Sequence, residues 1–129
     1  MKKNGVLNRD INEALGKLGH TDAVVIADCG LPIPENTPCV DLALQKGVPS
    51  FREVLTLMMD EMEIETITLA EEIKAYNRTT EEKVKETGIE VTYISHDELK
   101  ASLPEARLII RTGEATPFSN AILRSGVIF

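Results

Sequence analysis

The sequence predicts an α/β domain built on a mostly parallel sheet flanked by helices, and three observations predict it. The run Ala23-Val24-Val25-Ile26-Ala27 is unbroken and aliphatic, the composition of a strand covered on both faces. Strand signals at 64–69, 89–94 and 106–110 are separated by stretches with helical spacing, which is the alternation of a parallel α/β sheet. The helical stretches after residue 50 are announced by Ser/Thr-x-x-Glu capping boxes at Ser50, Thr79 and Ser95.

Taken in order, Asn8 caps a first helix whose apolar positions are Ile11, Ala14, Leu15 and Leu18, and Gly19 follows its end. His20 then lies in a tight, solvent-accessible turn before the aliphatic strand, and Asp28 lies at the strand's carboxyl end, where open α/β sheets place their ligands. Pro32, Pro34 and Pro38 stiffen the next loop, and 40–44 reads as a short strand with Asp41 toward solvent. Ser50 starts a helix with Phe51, Val54, Leu55, Met58, Met59 and Met62 on its apolar stripe; Leu57 falls off that stripe and suggests a subunit contact. After the strand at 64–69, a polar helix runs from Thr79 to its stop at Gly88, and the strand at 89–94 follows. Ser95 places His96 in the first turn of a helix that Pro104 ends. The final apolar side chains Val127, Ile128 and Phe129 are expected to be buried, in the chain's own sheet or against another copy.

Composition narrows the function classes. The 129 residues form one domain, 1–129, and with aromatics at 4% and no tryptophan its core must be aliphatic. A net charge of −7, with no basic cluster beyond Lys2-Lys3, argues against nucleic acid and anionic membrane as partners. No apolar run approaches the roughly 18 residues of a membrane span, so a cytoplasmic protein is expected. Cys29 and Cys39 are nine residues apart, neither a zinc nor a redox spacing, and read as reduced, mostly buried thiols. There is no Gly-x-Gly-x-x-Gly fingerprint or phosphate loop, so neither a cofactor nor a metal is expected.

The chemistry therefore falls to side chains, and the two histidines are the first candidates because imidazole both donates and accepts protons near neutrality. Gly19-His20-Thr21-Asp22, continuing through Ile26-Ala27-Asp28-Cys29-Gly30-Leu31-Pro32-Ile33-Pro34, resembles the N-terminal signature of the D-ribose pyranase and L-fucose mutarotase family. Arg111-Thr112-Gly113-Glu114-Ala115-Thr116-Pro117 resembles its second signature. The two blocks lie near opposite ends of the chain, so the resemblance covers nearly all of it.

The resemblance implies an isomerase that interconverts β-D-ribopyranose and β-D-ribofuranose by proton movement alone, with His20 as general acid. It also implies a sugar site formed by Asp28, His96, Phe118, Ser119 and Asn120, with D-ribose as ligand and no cofactor. Asp28 could also orient His20. Family members form rings that pair into decamers, two pentamers with each site between subunits, and the same assembly is implied here. Phe118 departs from the family's usual tyrosine, which keeps an aromatic face for the sugar but removes a phenolic hydroxyl. An L-fucose mutarotase and a non-catalytic ribose-binding accessory of sugar uptake are the alternatives. Glu114 beside Asp28 would suggest a glycosidase pair, but Arg111, three residues earlier, is expected to hold it in an ion pair.

Overall fold

The computed structural model describes all 129 residues. Its elements are α1 (Arg9–Lys17), β1 (Ala23–Ala27), β2 (Cys39–Asp41), α2 (Phe51–Glu61), β3 (Ile64–Ala70), α3 (Ile73–Tyr76), α4 (Arg78–Lys85), β4 (Glu90–Ile94), α5 (His96–Ser102), a 3-10 turn (Leu103–Glu105), β5 (Leu108–Arg111) and β6 (Ala121–Ser125). The six strands form one sheet in the order β2-β5-β1-β6-β3-β4. β1, β2 and β5 pair in parallel, as do β3 and β4, while β6 runs antiparallel to both β1 and β3. Five strands thus point one way and β6 alone points back.

That single reversal has a sequence cause. The 112–120 segment leaves β5 on one side of β1, passes over its end and re-enters on the other side. It is anchored on the way by Thr112, whose backbone N–H and hydroxyl both donate to the Ala27 carbonyl, and by Cys29 N–H donating to the Glu114 carbonyl. With no helix between them, β5 and β6 cannot run parallel as neighbours in a βαβ unit. β6 fills the gap between β1 and β3 in the opposite direction.

The sheet is covered on both faces. Val24 and Ile26 of β1 point into the larger core, with Ile11 of α1, Phe51, Val54, Leu55 and Met58 of α2, Ile73 of α3 and Val84 of α4. Ala23, Val25 and Ala27 point the other way, onto Leu31, Leu99 and Leu103. Both faces of β1 therefore require apolar side chains, which is why its sequence shows no alternation. Asn8 caps α1 as expected, its side chain accepting from the N–H groups of Asp10 and Ile11, and Ser50 and Glu53 form a complete capping box on α2.

Several sequence expectations are corrected. The cap of α4 is Asn77, not Thr79: the Asn77 side-chain oxygen accepts from Thr80 N–H, and Thr79 lies inside the helix. Leu57 is half-buried, with part of its side chain packed against the larger core. Cys39 is exposed on the edge strand and Cys29 is half-buried; both are free thiols. Val127, Ile128 and Phe129 are not buried in the chain's own sheet: β6 ends at Ser125, the chain then runs off the sheet, and the three side chains are exposed in the single chain.

Gly113 is required by close approach. A β-carbon there would press on the carbonyl oxygens of Val48 and Gln45 and lie 2.6 Å from the Val48 nitrogen, all backbone atoms that no rotamer change can move. Gly113→Ala is expected to cost about 2 kcal/mol and lower Tm by several degrees at fixed protein concentration, measured by thermal unfolding. A Tm equal to the parent's would contradict the packing described.

Candidate active site

Because β6 runs against the other strands, its start and the ends of β1 and β4 meet at the same edge of the sheet. Asp28, His96 and the 117–120 turn therefore converge. A hollow of about 250 Å³ lies there, lined by Asp28, Gly30, Leu31, Pro32, His96, Pro117 and Phe118.

Asp28 is held in place on three sides. Its backbone N–H donates to Asn120 Oδ1 at 2.8 Å, the Asn120 amide donates back to Asp28 Oδ2 at 3.0 Å, and Gly30 N–H donates to Oδ1 at 3.0 Å. A carboxylate has about four acceptor positions, so this carboxylate, half-exposed at the rim, keeps capacity for hydroxyl groups in the hollow. Arg111 braces the next residue, donating from Nε and Nη2 to the Cys29 carbonyl, while its Nη1 forms a two-oxygen ion pair with Asp41. The Ala43 N–H, and after it Arg111, hold the Asp41 carboxyl below the usual aspartate range.

The expected Arg111–Glu114 pair is accordingly absent. Glu114 instead accepts from Phe51 N–H at 3.0 Å, at the start of α2, and from the Thr116 hydroxyl at 3.0 Å. A carboxylate there complements the positive end of the helix and is committed to structure.

His96 opens α5, and its backbone N–H donates to both oxygens of Glu72 at 3.1 and 3.0 Å. The imidazole meets the Phe118 ring edge-on, with centroids 5.1 Å apart. His96 Nδ1 is buried with no partner, whereas Nε2 is the nitrogen left accessible. Either tautomer leaves Nδ1 without a partner inside the chain, so hydrogen bonding by this ring falls to Nε2, which can donate or accept. Phe118 adopts φ +56°, uncommon for a residue with a side chain, and Tyr76 extends the aromatic wall with its ring 5.7 Å from that of Phe118.

Ser119 and Asn120 are both fully buried beneath this wall. The Ser119 hydroxyl exchanges a hydrogen bond with Thr116 at 2.7 Å and accepts from the Asn77 amide at 2.9 Å. Asn120 spends its amide on Asp28.

His20 is elsewhere. It precedes β1 whereas Asp28 follows it, and the strand alone spans about 13 Å. Within one chain Asp28 therefore cannot orient His20. The ring, 51% exposed, lies 3.3 Å through Nε2 from Glu65 Oε1 of β3. It borders a separate open groove with Leu15, Leu18, Met62, Val127, Ile128 and Phe129. The turn is set by Thr21 at φ +71°, a strained conformation for a β-branched residue, while Gly19, the residue expected to take such a conformation, does not. The Thr21 carbonyl accepts from Arg124 at 3.0 Å, which ties the turn to β6.

Residues 1–128 match the model of the RbsD / FucU transport protein family. The chain belongs to the RbsD/FucU family. Within it, the D-ribose pyranase of Halalkalibacterium halodurans is 53% identical over 129 residues, all of both chains, and that of Shouchella clausii is 50% identical over the same span. Among solved structures, that of Bacillus subtilis RbsD complexed with D-ribose superposes with a TM-score of 0.96 at 42% identity, covering 100% of both chains. The fucose mutarotase of Streptococcus pneumoniae, in complex with L-fucose, shares the fold with a TM-score of 0.76 over 95% of each chain, at 20% identity. With relatives so named at half identity over the full length, this protein is an isomerase. No helix is long and apolar enough to cross a membrane.

Sequence reasoning missed Glu65, Glu72 and Asn77, each a polar residue whose partner is distant in the chain. Asn77 carried one usable signal, since Asn preceding a helical stretch is a strong N-cap, but the Thr79 box two residues later competed with it.

Proposed function

We propose that this protein is a D-ribose pyranase, which interconverts β-D-ribopyranose and β-D-ribofuranose at sites shared between copies of the chain. One arrangement carries the proposal. The hollow at the carboxyl edge of the sheet gathers Asp28, His96 and the Phe118 ring, while His20, the second imidazole of the chain, stands exposed at the opposite end of β1, where a neighbouring copy can present it to that hollow.

In the assembled site, His20 of one copy closes over the Asp28 hollow of the next. Its imidazolium gives a proton to the pyranose ring oxygen as the anomeric hydroxyl loses one; the C1–O5 bond breaks and leaves the aldehyde with a free 5-hydroxyl. The 4-hydroxyl then adds to C1 and loses its proton, and the carbonyl oxygen regains one, so protons balance over the cycle. Asp28 accepts from sugar hydroxyls, His96 hydrogen-bonds through Nε2, and Phe118 lies against the C–H face. Ser119 and Asn120 serve from beneath, Asn120 by fixing Asp28. Contact between unlike ends of two copies is heterologous, and repetition closes a ring. Two five-membered rings stacked as a decamer, working in the cytoplasm to supply furanose to a kinase, complete the proposal.

Saturation-difference NMR of sugar exchange tests it, with D-ribose and L-fucose run in parallel at catalytic protein concentration. Faster pyranose–furanose exchange of ribose is the expected result. Enhancement confined to fucose would make the protein a fucose mutarotase, and saturable ribose binding at the buffer exchange rate would make it a binding accessory.

A further inference from the structure

We infer that Asn77 is a positioning residue for the sugar site, an inference that rests on the pyranase proposal. Asn77 does not itself line the hollow, yet it joins the α3–α4 corner to the loop from which Phe118 projects. Its side chain is buried and faces two ways. Oδ1 accepts from Thr80 N–H at 3.2 Å and caps α4. The amide nitrogen lies 2.8 Å from the Pro117 carbonyl oxygen, 2.9 Å from Ser119 Oγ and 3.1 Å from Thr116 Oγ1.

The chemistry of the partners fixes which end of the amide is which. A backbone N–H only donates and a carbonyl only accepts, so the oxygen must face Thr80 and the nitrogen must face Pro117. The three loop acceptors bracket Phe118, whose left-handed backbone is unfavourable for a residue with a β-carbon and persists only where its surroundings hold it. Asn120, two residues further on, in turn grips Asp28. The amide of Asn77 thus sets both the aromatic wall and the carboxylate of the sugar site, from beneath and without contact with substrate.

Asn77→Asp separates this role from the helix cap. Aspartate caps as well as asparagine does, so Thr80 keeps its acceptor. The two hydroxyls can turn and donate to the new carboxylate, but the Pro117 carbonyl cannot, and two acceptor oxygens then face each other where a hydrogen bond stood. The expected outcome is a KM for ribose raised roughly tenfold or more, in proportion to the displacement of the wall, with kcat changed less because His20 lies in another copy. The His96 ring proton signal should move as well, since it senses the Phe118 ring current. Asn77→Ser, neutral and still a good cap, provides the second arm and should shift KM in the same direction.

Parent KM and an unmoved His96 signal in either folded variant would overturn the inference. Exchange catalysed by the parent protein reports on the pyranase proposal itself, and the variant-to-parent ratio reports on Asn77. The same ratio measured with ribose binding alone keeps the two separable if the parent binds ribose without catalysing exchange.

Discussion

His20→Ala is expected to reduce enzyme-stimulated pyranose–furanose exchange to the rate of buffer, a loss of about 10²- to 10⁴-fold, the usual contribution of a positioned acid or base. His20 is half-exposed, has Glu65 as its single side-chain partner at 3.3 Å, and sits on a turn braced by the strained Thr21 and by Arg124. The D-ribose affinity should change far less, because Asp28, His96 and Phe118 of the hollow proposed for the sugar are left intact. His20→Gln, which keeps a donor but cannot deliver a proton, should be as inactive as His20→Ala. Exchange at the parent rate in both variants would remove His20 from the mechanism.

Asp28→Ala is expected to raise KM by about 10- to 150-fold, the equivalent of losing a charged hydrogen bond of roughly 1.5–3 kcal/mol. Its effect extends beyond the lost acceptor, since Asn120 and the Gly30 N–H both lose their partner. A stronger result is expected when His20→Ala and Asp28→Ala proteins are mixed and reassembled from dissociated subunits, and assayed at ribose well below the KM of the Asp28→Ala protein, where each alone is nearly silent. If His20 and Asp28 act in one site but come from different copies, about a quarter of the junctions in a random mixture hold both native residues. Activity near a quarter of the parent's is then expected. A mixture no more active than its components would show that each chain must supply both residues, and the shared site would fall.

The elements around these residues were legible in the sequence to different degrees. β1 was plain because a strand buried on both faces has no polar position to obscure it. α2 was plain because its capping box and its stripe agree. The α4 start misled because two neighbouring signals, Asn77 and Thr79, compete, and the winner was chosen by Thr116, Pro117 and Ser119, some forty residues away. The place of β6 was not legible: the helix-free 112–120 connection excludes a parallel βαβ crossover, but no local pattern encodes that the strand fills the gap between β1 and β3.

Local chemistry written in the chain was enough to establish the α/β class, the aliphatic central strand and the candidacy of His20, Asp28 and His96. Folding alone settled which of them are neighbours. Periodicity and capping act within a few residues, so they report where a side chain lies along its element but not which element lies beside it. A single strand of about 13 Å therefore sufficed to part His20 from Asp28, while the reversed β6 brought Asn120, 92 residues away in sequence, onto Asp28.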